Sequence, residues 1–568
     1  MPEAVIVRSA SDLLAGFAFA SDALAGTGAA RELLPGWFGD VEGAVERRER
    51  RPSPPWNSDE VAELAAFNRQ FGNESGAQAA AHLADPQTVA VVTGQQPNLL
   101  ASPLYVLHKA ASAVALARHW EQRLARPVIP IFWVASDDHD FAELRECHLL
   151  GAGADIVSLG YQVSRGEGVP ADSPAFEWNL SDSSPRLIRR LEAALPEGPA
   201  RGETVALVAT ALASGATFES VFCHILSGFF ADAGLVMLVP RLKAVRRRGA
   251  GVLRRDMLSP GLLADALEKR GASMAAAGYP VPLQRSPEQI NCFYLEGRVR
   301  RRMMRRGEDG TVAAERPSAL TDAIVRHQTE WLEQLTHHPE AFSPNVITRP
   351  LVQDHALPTI AYVAGPGEMA YLAQMADVYE CCDIPQPLVL PRSTGILVDA
   401  ATARELEGAG LSVEDLLLPP DDLAAKAAAA DPIMAPLLAE VVHLEEAIAA
   451  ATGRMLATGV ANRPAVRVAI AKTAAAQHRS LSRLRRRLWR QGREMGVGAW
   501  ASLARGLACV RPLGGIQDRV LSPLSFCGDV PMQRLGHTAL TMAGDWLRAL
   551  HQPATGGMVM PVRIIAAD

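Results

Sequence analysis

Two short apolar runs separated by a helix-length segment constrain this chain more than any other feature. Thr88–Val92 (T-V-A-V-V) and Val128–Val134 (V-I-P-I-F-W-V) show no polar alternation, so each reads as a strand buried on both faces. Between them Ser102 is a good N-cap, Pro103 suits the first helical position, and apolar periodicity runs to about Leu124. Strand, helix and strand at this spacing make a βαβ unit, which requires a parallel sheet. Further strands are expected at Val236–Val239, Thr359–Val363 and Leu388–Leu390, and a helix at Met369–Tyr379. The expected fold is α/β, a doubly wound core laid down in three parts, 1–150, 206–249 and 341–400. Two polar, Gly/Pro-bearing or basic insertions, 151–205 and 250–340, interrupt it.

From 401 to 568 the character changes. Alanine, leucine and charged residues dominate, and the long helical patterns Leu437–Ala451 and Val466–Arg493 carry apolar residues at spacings near seven. That pattern fits an antiparallel coiled coil, either a helical hairpin or a dimerisation arm. A chain of 568 residues also exceeds what a single core usually supports, so two or three domains are expected.

Composition excludes several classes. With 48% hydrophobic and 21% charged residues the chain is ordinary globular protein. It has no uncharged apolar run of the roughly 18 residues needed to span a membrane, and its start lacks a signal-peptide pattern, so a soluble, cytoplasmic protein is expected. Seven cysteines are scattered without a Cys-x-x-Cys pair, which argues against a disulfide framework or a thiolate zinc site. A net charge of −6 gives no general attraction to nucleic acid or anionic lipid. Locally, Arg241–Arg255, Arg298–Arg306 and Arg479–Arg493 are arginine-rich, either as solvated faces or as sites that recruit carboxylates and phosphates.

The phosphate loop G-x-x-x-x-G-K-[ST], G-x-G-x-x-G after a strand, G-x-S-x-G and H-E-x-x-H are all absent. Three other clusters carry the chemistry. Thr93, Gly94, Gln95 and Gln96 follow the first strand at the edge where open α/β sheets bind ligands, and His108 and Lys109 lie on the next helix. The second strand runs into Asp137, Asp138, His139 and Asp140, a costly concentration of like charge. It suits an exposed turn, a metal site, or a general acid–base and amine-binding site. The third cluster holds Asn345, Arg349, Gln353 and Asp354, then Gly365, Gly367 and Glu368 opening a helix, where free N–H groups favour an anion.

Several long motifs together resemble the bacillithiol-biosynthesis cysteine-adding enzyme family. They are V-V-T-G-Q-Q-P-N-L-L-A-S-P-L-Y-V-L-H-K (91–109), P-V-I-P-I-F-W-V-A-S-D-D-H-D-F (127–141) and F-S-P-N-V-I-T-R-P-L-V-Q-D (342–354). To these are added A-Y-V-A-G-P-G-E-M-A-Y (361–371), L-P-R (390–392) and R-P-L-G-G-I-Q-D-R-V-L (511–521). The family commonly has Glu where Asp138 stands, which keeps a carboxylate with a shorter reach. The resemblance implies a Rossmann-like, nucleotidyltransferase-like core with connecting insertions and a C-terminal coiled coil supporting a homodimer. It also implies a ligase that joins the cysteine carboxyl to the amine of glucosaminyl malate.

On that reading ATP or another nucleotide activates the carboxyl group, and a metal requirement is left open. Asp138, His139 or Asp140 accepts the amine proton, and His108 and Lys109 stabilise phosphoryl charge. Arg349 and Arg392 are candidates for the malate carboxylates; Leu513, Gly514, Gln517 and Arg519 are candidates for the nucleotide. Competing expectations are a metal-dependent hydrolase or sugar-modifying enzyme built on Asp137–Asp140, and a non-catalytic dimeric scaffold.

Overall fold

The computed structural model describes residues 4–9, 14, 16–151, 155–161, 172–213, 215–307, 309–431, 433–458, 463–495, 499–550 and 557–565. The chain lays down strand β1 (Val89–Gln95), helix α1 (Tyr105–Leu124), β2 (Val128–Val134) and β3 (Val236–Leu238). It leaves through helix α2 (Lys243–Leu258) to form β4 (Gln289–Glu296), β5 (Val299–Arg306), β6 (Thr311–Arg316), β7 (Ala319–His327) and β8 (Phe342–Pro344). It returns with α3 (Thr348–Ala356), β9 (Thr359–Ala364), α4 (Pro366–Gln374) and β10 (Leu388–Pro391).

The expected α/β core is present. Its five strands are all parallel, in the order β10-β9-β1-β2-β3. Alternate residues serve opposite faces, as strand geometry requires. Ala90 and Val92 join one apolar cluster with Leu107, Ala111 and Val114 of α1. Val89 and Val91 join another with Val41, Leu116, Trp120, Ile360 and Trp546. Burial on both faces is why these strands read as continuous apolar runs.

Three local expectations change. Ser102 does not cap α1: its backbone is extended, and the helix begins at Tyr105 after Leu104. Leu100 and Ala101 have positive φ and turn the chain first, and the Leu104 N–H donates to the Leu521 carbonyl at 2.6 Å, so the C-terminal motif serves the donor. The helix expected over Met369–Tyr379 is divided, with α4 ending at Gln374 and a second helix running Ala376–Cys381. Within 250–340 the chain builds helix Pro260–Ala276 and most of an antiparallel sheet in the order β7-β6-β5-β4-β8.

The region after 400 is mainly helical, and its long helices Met434–Leu456 and Pro464–Met495 pack against each other. It also supplies a strand, Gly557–Ile565, which joins Ala4–Ser9 and Ile396–Asp399 in a small sheet. Among the described residues no helix is long and apolar enough to cross a membrane.

Candidate active site

Parallel pairing brings the carboxyl ends of β1, β2, β9 and β10 to one edge. Gly94 lies beside Trp133, Val363 beside Thr93, and Ala364 beside Pro391. A cavity of about 760 Å³ opens there. Gly94 is needed for the close approach of the strands, since a Cβ would lie 2.8 Å from the Trp133 carbonyl oxygen.

A buried ion pair forms the floor. Lys109, 2% exposed, donates from Nζ to the Gly94 carbonyl at 2.7 Å and to Gln95 Oε1 at 3.1 Å, and it pairs with Glu368. The Glu368 carboxylate in turn accepts from the Gly365 N–H at 2.6 Å and from the Tyr362 hydroxyl at 3.0 Å. Burial would raise the Glu368 carboxyl, but Lys109 and these donors hold it below the usual carboxylate range. The N-terminus of α4, read as an anion cradle, thus already holds a carboxylate of the chain itself. Arg349 donates to Gln353 Oε1 at 3.2 Å and to the Tyr371 hydroxyl at 3.1 Å.

The acidic turn after β2 has a separate partner for each carboxylate. Asp137 makes a two-pronged, buried pair with Arg246 of α2 at 2.6 and 2.9 Å. Asp140 caps the short helix Phe141–Leu144. Asp138 faces the cavity: Oδ2 accepts from Gln96 Nε2 at 2.6 Å and Oδ1 from the His139 N–H at 2.7 Å. Burial raises its carboxyl, yet Arg300 and these hydrogen bonds hold it below the usual range, so it is ionised near neutrality. The His139 ring also lines the cavity. Among the described residues no three His, Cys, Asp or Glu side chains are grouped to hold a metal ion, which removes the support for a metal-dependent hydrolase built on this turn.

The opposite wall is cationic. Arg392 donates to Asp518 Oδ2 at 2.7 Å and to the Ser393 carbonyl at 2.9 Å. Arg519 lies with its guanidinium carbon 4.4 Å from the Phe17 ring centroid. Burial and the neighbouring Arg392 lower its basicity, against the pull of Asp518 and Tyr105.

Of the residues singled out in the sequence, the cavity wall gathers Gly94, Gln95, Gln96, Lys109, Asp137, Asp138, His139, Asn345, Arg349, Gly365, Gly367, Glu368, Arg392 and Arg519. Others lie behind it. Thr93 donates to the Val363 carbonyl, Asp354 accepts from Gln353 and Tyr379, and Gln517 is buried against Leu397 and Cys509. Leu513 is exposed, and neither it nor Gly514 reaches the cavity. His108 is fully buried, with neither ring nitrogen hydrogen-bonded. Burial pushes its imidazole down to about 4, against the pull of Asp518 and with the help of Arg392.

Sequence reasoning missed Arg285, Gln289, Phe293 and Arg300, which the antiparallel sheet and its approach bring to the same cavity. The only signal was the arginine-rich run 298–306, read as a patch without a direction.

Two outcomes follow. Lys109→Met leaves Glu368 without its counter-charge; as that carboxylate is 21% exposed, the loss is about 3 kcal/mol, the low end for a broken buried pair. Adding Glu368→Gln should return about 1–3 kcal/mol in denaturant unfolding, and simple additivity would refute the coupling. As pH falls below 6.5 the unfolded chain protonates His108, which the folded chain resists until about 4. Stability is therefore lost as pH falls through that window, by about 3 kcal/mol at its lower end. Denaturation at about pH 7 and about pH 4.5 should show a smaller loss for His108→Leu than for wild type, and equal losses would contradict this.

Residues 41–393 match the family model described as bacillithiol biosynthesis BshC, N-terminal Rossmann-like domain. The chain is 35% identical over 344 residues to a protein of Salinibacter ruber, covering 59% of each chain. It is 30% identical over 469 residues to one of Geobacillus kaustophilus, covering 80% of this chain and 83% of the relative. A protein of Heliobacterium modesticaldum is 32% identical over 361 residues, 63% of each chain. All three relatives carry the name "Putative cysteine ligase BshC". The match thus spans under two-thirds of the Salinibacter and Heliobacterium relatives and most of the Geobacillus one. With the parallel sheet and its edge cavity in place, the chain belongs to the bacillithiol biosynthesis BshC family.

Proposed function

We propose that the protein is a ligase of bacillithiol biosynthesis that joins the carboxyl group of cysteine to the amine of glucosaminyl malate. The observation that carries this reading is a single cavity in which an ionised carboxylate, Asp138, shares walls with Arg349, Arg392 and Arg519. An amine and anionic groups can therefore be bound in one chamber. Family membership and the printed names of the relatives support the same chemistry.

A free carboxylate does not acylate an amine, so a nucleotide would supply the leaving group that makes the carboxyl carbon electrophilic. Arg519, which lines the cavity beside Arg392, suits its phosphate, and the spare N–H groups of Arg349 and Arg392 suit the malate carboxylates. The amine nitrogen attacks the acyl carbon. A C–N bond forms, the C–O bond to phosphate breaks with its electron pair staying on the phosphate, and Asp138 accepts the proton leaving nitrogen. Lys109, bound by Glu368, contributes to the floor rather than acting as a free cation. A cytoplasmic setting suits a reaction that consumes nucleotide and a free thiol. Leu437 and Leu444, exposed and seven residues apart on the helix Met434–Leu456, support a homodimer through a coiled coil.

Incubation of the purified protein with cysteine, glucosaminyl malate and ATP, followed by mass spectrometry, should yield the cysteinyl amide. AMP or ADP among the products identifies the mode of activation. Asp138→Asn should slow product formation by about 100-fold or more. No amide under any nucleotide or metal condition, or an unaffected Asp138→Asn variant, would overturn the proposal.

A further inference from the structure

His139 sits beside an aspartate, an arrangement that usually ends with the carboxylate accepting the Nδ1 proton and Nε2 left free as a base. Here the nearest Asp138 oxygen is 3.9 Å from Nδ1, beyond hydrogen-bond range, whereas Arg300 Nη1 is 3.0 Å away. A guanidinium has only donors, so Nδ1 must accept, and the imidazole proton is left on Nε2. Arg300 has little freedom to do otherwise. It is 5% exposed on β5, donates from Nε to Ser343 Oγ at 3.0 Å and from Nη2 to the Pro344 carbonyl at 2.7 Å, and covers the Phe293 ring at 3.8 Å. Its own N–H donates to the Asp172 carbonyl. Phe293 also packs edge-on against the His139 ring at 5.8 Å.

We propose that Arg300 is a positioning residue that holds His139 as the neutral Nε2–H tautomer, so that His139 meets the substrate as a hydrogen-bond donor and not as a base. Resting on the ligase reading, this divides the work of the acidic turn. Asp138 takes the proton of the amine, and His139 Nε2–H donates to the oxygen that gains charge when the acyl carbon is attacked. The groups facing the ring agree with a neutral imidazole. Burial and Arg300 disfavour its charge, while Asp138, Asp172 and Asp140 oppose them without prevailing. An arginine carried by the second insertion thereby sets the chemistry of a residue in the turn that follows β2.

The test reads the tautomer directly and does not depend on turnover. In nitrogen NMR of the ¹⁵N-histidine-labelled full chain, the His139 signals are identified by their loss in His139→Gln. The wild type should show protonated Nε2 and bare Nδ1 from about pH 6 to about pH 8, with no titration near the ordinary value for histidine. A protonated Nδ1, or a titration near 6.5, would overturn the proposal. Arg300→Lys should keep the wild-type signature, and Arg300→Leu should release the ring to titrate; a Leu variant with an unchanged spectrum would count against it. The wild-type spectrum decides the matter even where Arg300→Leu fails to fold. In the ligation assay His139→Ala should lose about 100-fold, and His139→Gln, which keeps a donor, should recover most of it. Equal losses in both would refute the donor role. An absent ligation activity alongside the expected spectrum would instead refute the ligase reading alone.

Discussion

Everything at the sheet edge depends on keeping one buried ammonium ion satisfied. Lys109 on α1 is almost wholly out of water, and its counter-charge comes from Glu368, more than 250 residues later in the chain. Three things meet at that pair: the Gly94–Gln95 end of β1, the first turn of α4, and the Tyr362–Tyr371–Arg349 hydrogen-bond group. Desolvating both charges is expensive, and only their close approach with additional hydrogen bonds offsets it. A fold that retains such a pair at its ligand-binding edge gains geometry there. The loops after β1 and β9 cannot drift apart without exposing an unpaired charge.

The same economy governs the acidic turn. Asp137, Asp138 and Asp140 could not sit together as free carboxylates without mutual repulsion. The structure separates their tasks. Arg246 from α2 neutralises Asp137, a helix N-terminus takes Asp140, and Asp138 is left at the cavity wall without a salt-bridged arginine of its own among the described residues. The insertion between β3 and β9 is therefore part of the site. It supplies Arg300, Phe293 and Arg285 to a cavity whose floor belongs to the parallel sheet.

The parallel core was legible because its strands are buried on both faces, and such burial writes itself as V-A-V-V and V-I-P-I-F-W-V runs. Asp138 and His139 were legible for the opposite reason, since charge concentrated at a strand end is costly unless used. What could not be read was partnership at long range. Nothing local in Arg246 or Arg300 says that one neutralises Asp137 and the other reaches His139, 109 and 161 residues away. The β-structure of 289–327 was hidden for a related reason. Its arginines alternate with apolar residues only weakly, and Arg300 and Arg301 are buried by ion pairs and carbonyls that appear only once the sheet has formed. His108 misled in turn, because a histidine next to a ligand-type lysine looked reactive, whereas helical geometry sends its ring into the core.

On the proposed reaction the amine is received at Asp138 in the same chamber that binds the anionic groups at Arg349, Arg392 and Arg519. A crystal structure of the full chain with glucosaminyl malate and a non-hydrolysable nucleotide tests it most directly. The glucosamine nitrogen should lie within hydrogen-bond distance of the Asp138 carboxylate, with malate and phosphate oxygens on the three arginines. An amine bound away from Asp138, or either ligand bound outside this cavity, would contradict it.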